Sequence, residues 1–93
     1  MEFKLNTSDA PNNEIEYIVD GKMLANITWV ELEGVMNMNH TYVSDSLRGQ
    51  GIAKKLLDEA ADYARANQLK MNPICSYVVA AFEKSDAYDE LKA

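Results

Sequence analysis

The sequence predicts an α/β (α+β) domain, an antiparallel β-meander running into a β-α-β-α unit, in the element order β-β-β-β-α-β-α. Three observations carry this. The first half alternates polar and apolar residues, as in Glu14, Glu16 against Ile15, Tyr17, Val19, which is the period of a half-buried strand. Two Asp/Glu-Gly pairs, Asp20-Gly21 and Glu33-Gly34, punctuate that half as tight hairpin turns. The second half opens on a glycine-rich turn and then switches to helical periodicity.

In chain order, residues 2–6 form a short strand and 7–13, with Pro11 inside, a loop. Residues 14–19 are the second strand. Asp20-Gly21 supplies the two positive-φ residues that a two-residue hairpin needs, and the third strand runs over 22–32. Its alternation puts Met23, Ala25, Ile27 and Trp29 on one face. Residues 35–43 are the fourth strand, with Met36, Met38, His40 and Tyr42 sharing a face.

Residues 52–67 then read as a helix. Ile52, Leu56, Leu57, Ala60, Tyr63 and Ala64 form its apolar stripe, and Lys54, Lys55, Asp58, Glu59, Asp62 and Arg65 the polar one. Asn67 reads as a left-handed C-terminal stop. Residues 69–75 form a strand that Pro73 confines to an edge or ends early. Residues 77–84 form a short apolar helix, and the tail 85–93 adds a further helical turn.

Composition narrows the function classes. A chain of 93 residues is one domain with one modest core. A formal net charge of −6 argues against nucleic acid or an anionic membrane surface as the main partner. No apolar run is long enough to span a membrane and the first residues are too polar for a signal peptide. The lone Cys75 cannot form an internal disulfide, so the cytoplasm is the expected compartment. Asn6, Asn26 and Asn39 head chance N-x-[ST] matches on that reading.

The stretch with chemistry in it is Leu47-Arg48-Gly49-Gln50-Gly51-Ile52-Ala53. A strand, a glycine turn and a helix start make an anion site, because glycines let backbone N–H groups approach a ligand and the helix dipole adds positive charge. Arg48, Lys54 and Lys55 crowd an end where helices favour acids. A bound polyanion would turn that liability into a gain. The alternative is that Lys54 and Lys55 pair with Asp58 and Glu59 one turn on. Neither G-x-G-x-x-G nor G-x-x-x-x-G-K-[ST] is present.

Arg48-Gly49-Gln50-Gly51-Ile52-Ala53 resembles the Q/R-x-x-G-x-G/A signature of the GNAT superfamily of acyl-CoA-dependent N-acyltransferases. With His40-Thr41-Tyr42-Val43 before it and Pro73-Ile74-Cys75-Ser76 after the helix, the chain resembles a small single-domain subgroup of that superfamily over about residues 29–88. The resemblance implies an abbreviated GNAT-like fold and acetyl-CoA or coenzyme A as ligand. It implies that backbone groups of Arg48, Gly49, Gln50, Gly51, Ile52 and Ala53, with the Lys54 charge beside them, hold the pyrophosphate. Tyr42 and Val43 would pair with the pantetheine arm. The fourth and fifth strands would part around the thioester.

The departures are as informative. Full-length members have an N-terminal helical pair and a final strand pair, which this chain has no room for. The fourth strand has no acid to serve as base, and Phe82-Glu83-Lys84 stands where a Tyr-Glu-Lys run often supplies a general acid. Two side chains could fill the gap. His40 reads either as a hydrogen-bonded core histidine or as a catalytic one. Cys75 reads either as a small hydrophobe at a strand end or, if the strands pair as in the family, as a thiol activated by His40 beside the thioester. Tyr17, Tyr63 and Tyr77 read as core. The expected function is acetyl transfer from acetyl-CoA to an unknown small-molecule or protein acceptor, through Cys75 and His40, with no metal, nucleic acid or membrane involved. The alternative is a non-catalytic acyl-CoA-binding module or sensor; a third is a different phosphate ligand such as a nucleotide.

Overall fold

Alternation, hairpins and helix stripe translate into a five-stranded sheet in the spatial order β1-β2-β3-β4-β5, seen in a computed structural model that describes residues 2–93. The strands are β1 (Glu2–Asp9), β2 (Asn12–Val19), β3 (Lys22–Leu32), β4 (Val35–Val43) and β5 (Lys70–Pro73). Helix α1 (Ile52–Ala66) links β4 to β5, and α2 (Ser76–Lys84) follows β5. Strands β1 to β4 are antiparallel and β5 lies parallel to β4. Both hairpin turns have positive φ at each of their two residues, as the Asp-Gly and Glu-Gly pairs imply.

The expected loop over 7–13 contracts to a turn at Ala10-Pro11, because β1 and β2 extend towards each other. Strand β5 stops at Pro73, two residues short of the expected 75, as a residue without an N–H donor dictates. The left-handed stop expected at Asn67 is corrected: Asn67 has φ −110°, and the next residue, Gln68, takes the left-handed conformation at φ 58°. The tail forms a short 3-10 turn, Asp89–Leu91.

The core lies between the sheet and α1. Ile52, Leu56, Leu57, Ala60, Ala61 and Ala64 are buried on the helix side. Ile15, Tyr17, Ala25, Ile27, Trp29, Met36 and Met38 are buried on the sheet side. Tyr63 is half-buried, its ring 5.4 Å from that of Trp29. One oxygen of Glu31, Oε1, accepts from the Tyr63 hydroxyl at 3.2 Å and from Trp29 Nε1 and Asn13 Nδ2 at 3.4 Å. No described helix is long and apolar enough to cross a membrane.

Two bulges change which residues face this core. Between β2 and β3, Tyr17 pairs with Ala25 but Ile18 with Met23, so Leu24 is an extra residue and Met23 leaves the core face; it is 40% exposed. Between β3 and β4, Thr28 pairs with His40 but Trp29 with Met38, so Asn39 is extra. The expected common face for Met36, Met38, His40 and Tyr42 is corrected here. Met36 and Met38 are buried, whereas His40 and Tyr42 are exposed on the opposite face, cross-strand from Thr28 and Asn26. A one-residue slip exchanges every later side chain between faces.

Candidate functional site

Two features meet at the end of β4: a gap in the sheet and an uncapped helix start. Pairing of β4 with β5 ends at Met38 and Pro73. The Met38 carbonyl then accepts from both Ile74 N–H (3.0 Å) and Cys75 N–H (2.9 Å), which turns the chain away from β4 and into α2. Residues 39–43 of β4 keep β3 on one side and, among the described residues, have no strand on the other. Cys75, half-buried, sits at the N-terminal end of α2, where its carbonyl accepts from Val79 N–H at 3.1 Å.

The residue that meets Cys75 across the gap is Thr41. Its Oγ1 lies 3.4 Å from Cys75 Sγ, and its cross-strand partner Ile27 places it on the α1 side of the sheet. The bulge at Asn39 is the cause: it brings Thr41 and Val43 to the face where unbroken alternation would have put His40 and Tyr42. The expectation that Cys75 faces His40 is therefore corrected, and Thr41 is the neighbour of Cys75 that strict alternation missed. No residue-type signal in 35–43 announces the bulge.

The glycine turn follows at once. A 3-10 turn, Asp45–Leu47, is anchored by buried Leu47, and the Ser44 hydroxyl accepts from Ser46 N–H at 3.4 Å. Gly49 (φ 80°) and Gly51 (φ 71°) take left-handed conformations, and a Cβ at either would meet nothing within 4 Å. The space over the turn is open. No side chain among the described residues caps α1, and its first backbone bond runs from Lys55 N–H to Gly51 C=O at 3.1 Å. The N–H groups of Ile52, Ala53 and Lys54 thus lie in the first turn, where a helix has no acceptors of its own. Open space, close backbone and free donors fit a pyrophosphate.

The charges are partly spoken for. Arg48 pairs with Asp45 at 3.0 Å and Lys54 with Asp58 at 2.8 Å, while Lys55 has no ion-pair partner among the described residues. The sequence alternative of one-turn pairing is thus met for Lys54 and not for Lys55. The Asp58 hydrogen bond, with its charge, raises the Lys54 pKa. Asp58 also accepts from the buried Tyr88 hydroxyl at 2.6 Å. Its partial burial favours the neutral acid, but the bonds from Lys54 and Tyr88 outweigh this and hold its pKa below the ordinary value. Burial, and then the bond to Asp58, push the Tyr88 hydroxyl far above its ordinary range. Tyr77, half-buried at the start of α2, is also raised, first by burial and then by the Asp58 charge. Phe82 is buried and stacked on Tyr88 at 5.3 Å.

Residues 14–91 match the family model of the GCN5-related N-acetyl-transferases. The chain belongs to that family. A GCN5-like protein of Staphylococcus aureus, whose structure was solved by NMR, has 34% identity and a TM-score of 0.74 over 99% of this chain and 87% of its own. A ribosomal-protein-alanine N-acetyltransferase of Brucella melitensis biovar Abortus 2308 has 26% identity and a TM-score of 0.66, over 91% of this chain and 66% of its own. Tetrahymena GCN5 shares the fold alone, with 11% identity and a TM-score of 0.69; the chain spans 51% of its length. Acetyltransferases of the GCN5-related family use acetyl-CoA, and the β4-α1-β5-α2 order found here is that of its fold.

Proposed function

We propose that this protein binds acetyl-CoA across the glycine turn and the β4–β5 gap, and acts as an N-acetyltransferase of the small single-domain subgroup marked by its His-Thr-x-Val and Pro-x-Cys-Ser motifs. The observation that carries the reading is the junction itself: an open, uncapped helix start at Gly51 after a strand whose far edge, beyond Met38, lacks a partner among the described residues. Arg48 and Gln50 N–H donate within the turn, to the Asp45 and Leu47 carbonyls at 3.2 and 3.3 Å, which corrects the six-residue cradle expected over 48–53. In this reading the backbone N–H groups of Gly49, Gly51, Ile52 and Ala53 hold the pyrophosphate, with Lys54 adding charge, and the free edge of β4 near Tyr42 and Val43 pairs with the pantetheine arm. The acetyl thioester then lies beside Cys75.

Transfer through Cys75 is a two-step exchange. The Cys75 thiolate adds to the thioester carbonyl, and the carbon–sulfur bond to coenzyme A breaks as its thiolate leaves. An acceptor amine or thiol then adds to the Cys75 thioester, gives up its proton and releases Cys75. Thr41 Oγ1 is placed to donate a hydrogen bond to the sulfur. His40, exposed on the other face of β4, is available to take the proton of an acceptor arriving there. The second reading, binding without turnover, is favoured by one observation: the ring at Phe82 is buried against Tyr88 and has no proton to give.

Intact-mass measurement after incubation with acetyl-CoA separates the two. One hydroxylamine-labile acetyl group on wild type and none on Cys75→Ser supports transfer. An unmodified Cys75 in a protein that binds acetyl-CoA contradicts the covalent route and leaves binding without turnover as the better description.

A further inference from the structure

The opposite end of the sheet offers a second surface. Among the described residues strand β1 pairs with β2 alone, so its outer edge presents backbone N–H and C=O groups with no strand partner over residues 2–6, until the register shift after Asn6. Helix α1 packs mainly over β2, β3 and β4, and β1 overhangs it. Leu5, cross-strand from buried Ile15, therefore points to the α1 side yet is 46% exposed. Between the overhang and α1 lies a cleft of about 320 Å³ floored by Phe3, Leu5, Ile15 and Tyr63, with Glu59 and Asp62 on its helix side. Those two acids are three residues apart, on one flank of α1. Asp62 meets Arg65 at 3.2 Å, and Glu59 has no ion-pair partner among the described residues.

We infer that this edge docks an extended segment of another protein that adds a strand to β1 and turns apolar and basic side chains towards α1. The backbone edge supplies the pairing. Alternate inward side chains then meet, in turn, the apolar floor and the Glu59/Asp62 carboxylates. Charge selects the occupant. A second copy of this chain, net −6, would bring the same acids to the same cleft, and like charges there oppose self-pairing. Lys4, on the opposite face of β1, guards the edge against indiscriminate pairing. The inference is independent of the cofactor reading.

The test uses the whole protein and a capped probe peptide, Thr-Val-Thr-Lys-Thr-Val-Thr, whose Val and Lys share one face of a strand. Its partner probe carries Glu in place of Lys. Sedimentation first establishes the oligomeric state, and amide resonances then follow each titration. The expected result is a monomer in which the lysine peptide shifts residues 2–6 and 59–66. It binds at least tenfold tighter than the glutamate peptide, and Glu59→Lys reverses the preference. Shifts elsewhere, none at millimolar peptide, or equal binding of both peptides overturn the inference. So does a dimer that protects the amides of residues 2–6, which would make a second copy the occupant.

Discussion

Thr41 Oγ1 lies 3.4 Å from the Cys75 thiol, across the gap where β4 and β5 part, although 34 residues separate them in the chain. The contact depends on one extra residue, Asn39, whose side chain accepts from Thr28 Oγ1 at 2.6 Å on the outer face. The same bulge that turns His40 outward turns Thr41 inward, so the thiol has a hydroxyl rather than an imidazole for its neighbour.

Replacing that hydroxyl tests its role. Thr41→Val keeps the shape and removes the hydroxyl that shares a hydrogen bond with the sulfur. Alkylation of Cys75 by iodoacetamide at fixed pH should slow several-fold, with acetyl-CoA binding unchanged. His40→Ala should leave the alkylation rate as it is. If the His40 variant is the slow one, the imidazole acts on the thiol and the assignment to Thr41 is wrong.

Gly51 carries the turn. A valine there must adopt φ 71°, a left-handed conformation that costs an L-residue about 1–2 kcal/mol, and its side chain enters the space a ligand would occupy. Gly51→Val should fold, melt several degrees lower and fail to bind acetyl-CoA by calorimetry. Arg48→Ala should bind more weakly, mainly at low salt, because an exposed guanidinium supplies screened charge. Normal binding by Gly51→Val would put the cradle elsewhere.

Asp58 ties α1 to the tail. Its pKa is lower folded than unfolded, so its contribution to stability is complete above the unfolded value, ordinarily 3.8, and is lost as pH falls through the lower folded one. Asp58→Asn should therefore flatten the fall in melting temperature below about pH 4, the ordinary carboxylate range, relative to wild type. Tyr88→Phe, which removes one of the two bonds that depress the carboxylate, should shift the wild-type fall to higher pH. Superimposable acid profiles for all three proteins would refute this account of Asp58.

The legible parts of the sequence were those governed by local rules. Two-residue turns set both hairpins, the 3.6 period set α1, Pro73 set the end of β5, and the glycines at 49 and 51 set the open helix start. The illegible parts were bulges. Leu24 is an ordinary strand residue, and Asn39, of a type poor in strands, shares β4 with Asn37, so residue type does not show which position is extra. Yet each reverses the facing of its neighbours, which moved Met23 out of the core and exchanged His40 for Thr41 at Cys75. The Tyr88–Asp58 bond spans 30 residues between elements whose packing no periodicity encodes.

The proposed acetyl-CoA site spans the glycine turn and the β4–β5 gap. It is tested most directly by titrating the protein with acetyl-CoA and following each backbone amide, with ATP in a parallel series. Saturation with a specific ligand at about 100 times its dissociation constant adds about 2.7 kcal/mol of stability, enough to raise the melting temperature of a domain of this size by roughly 10 °C or more. That rise is expected with acetyl-CoA, and a weaker one with ATP. Amide shifts should be confined to residues 42–43, 48–54 and 75–77. Shifts centred elsewhere, no response, or an equal response to ATP would contradict it.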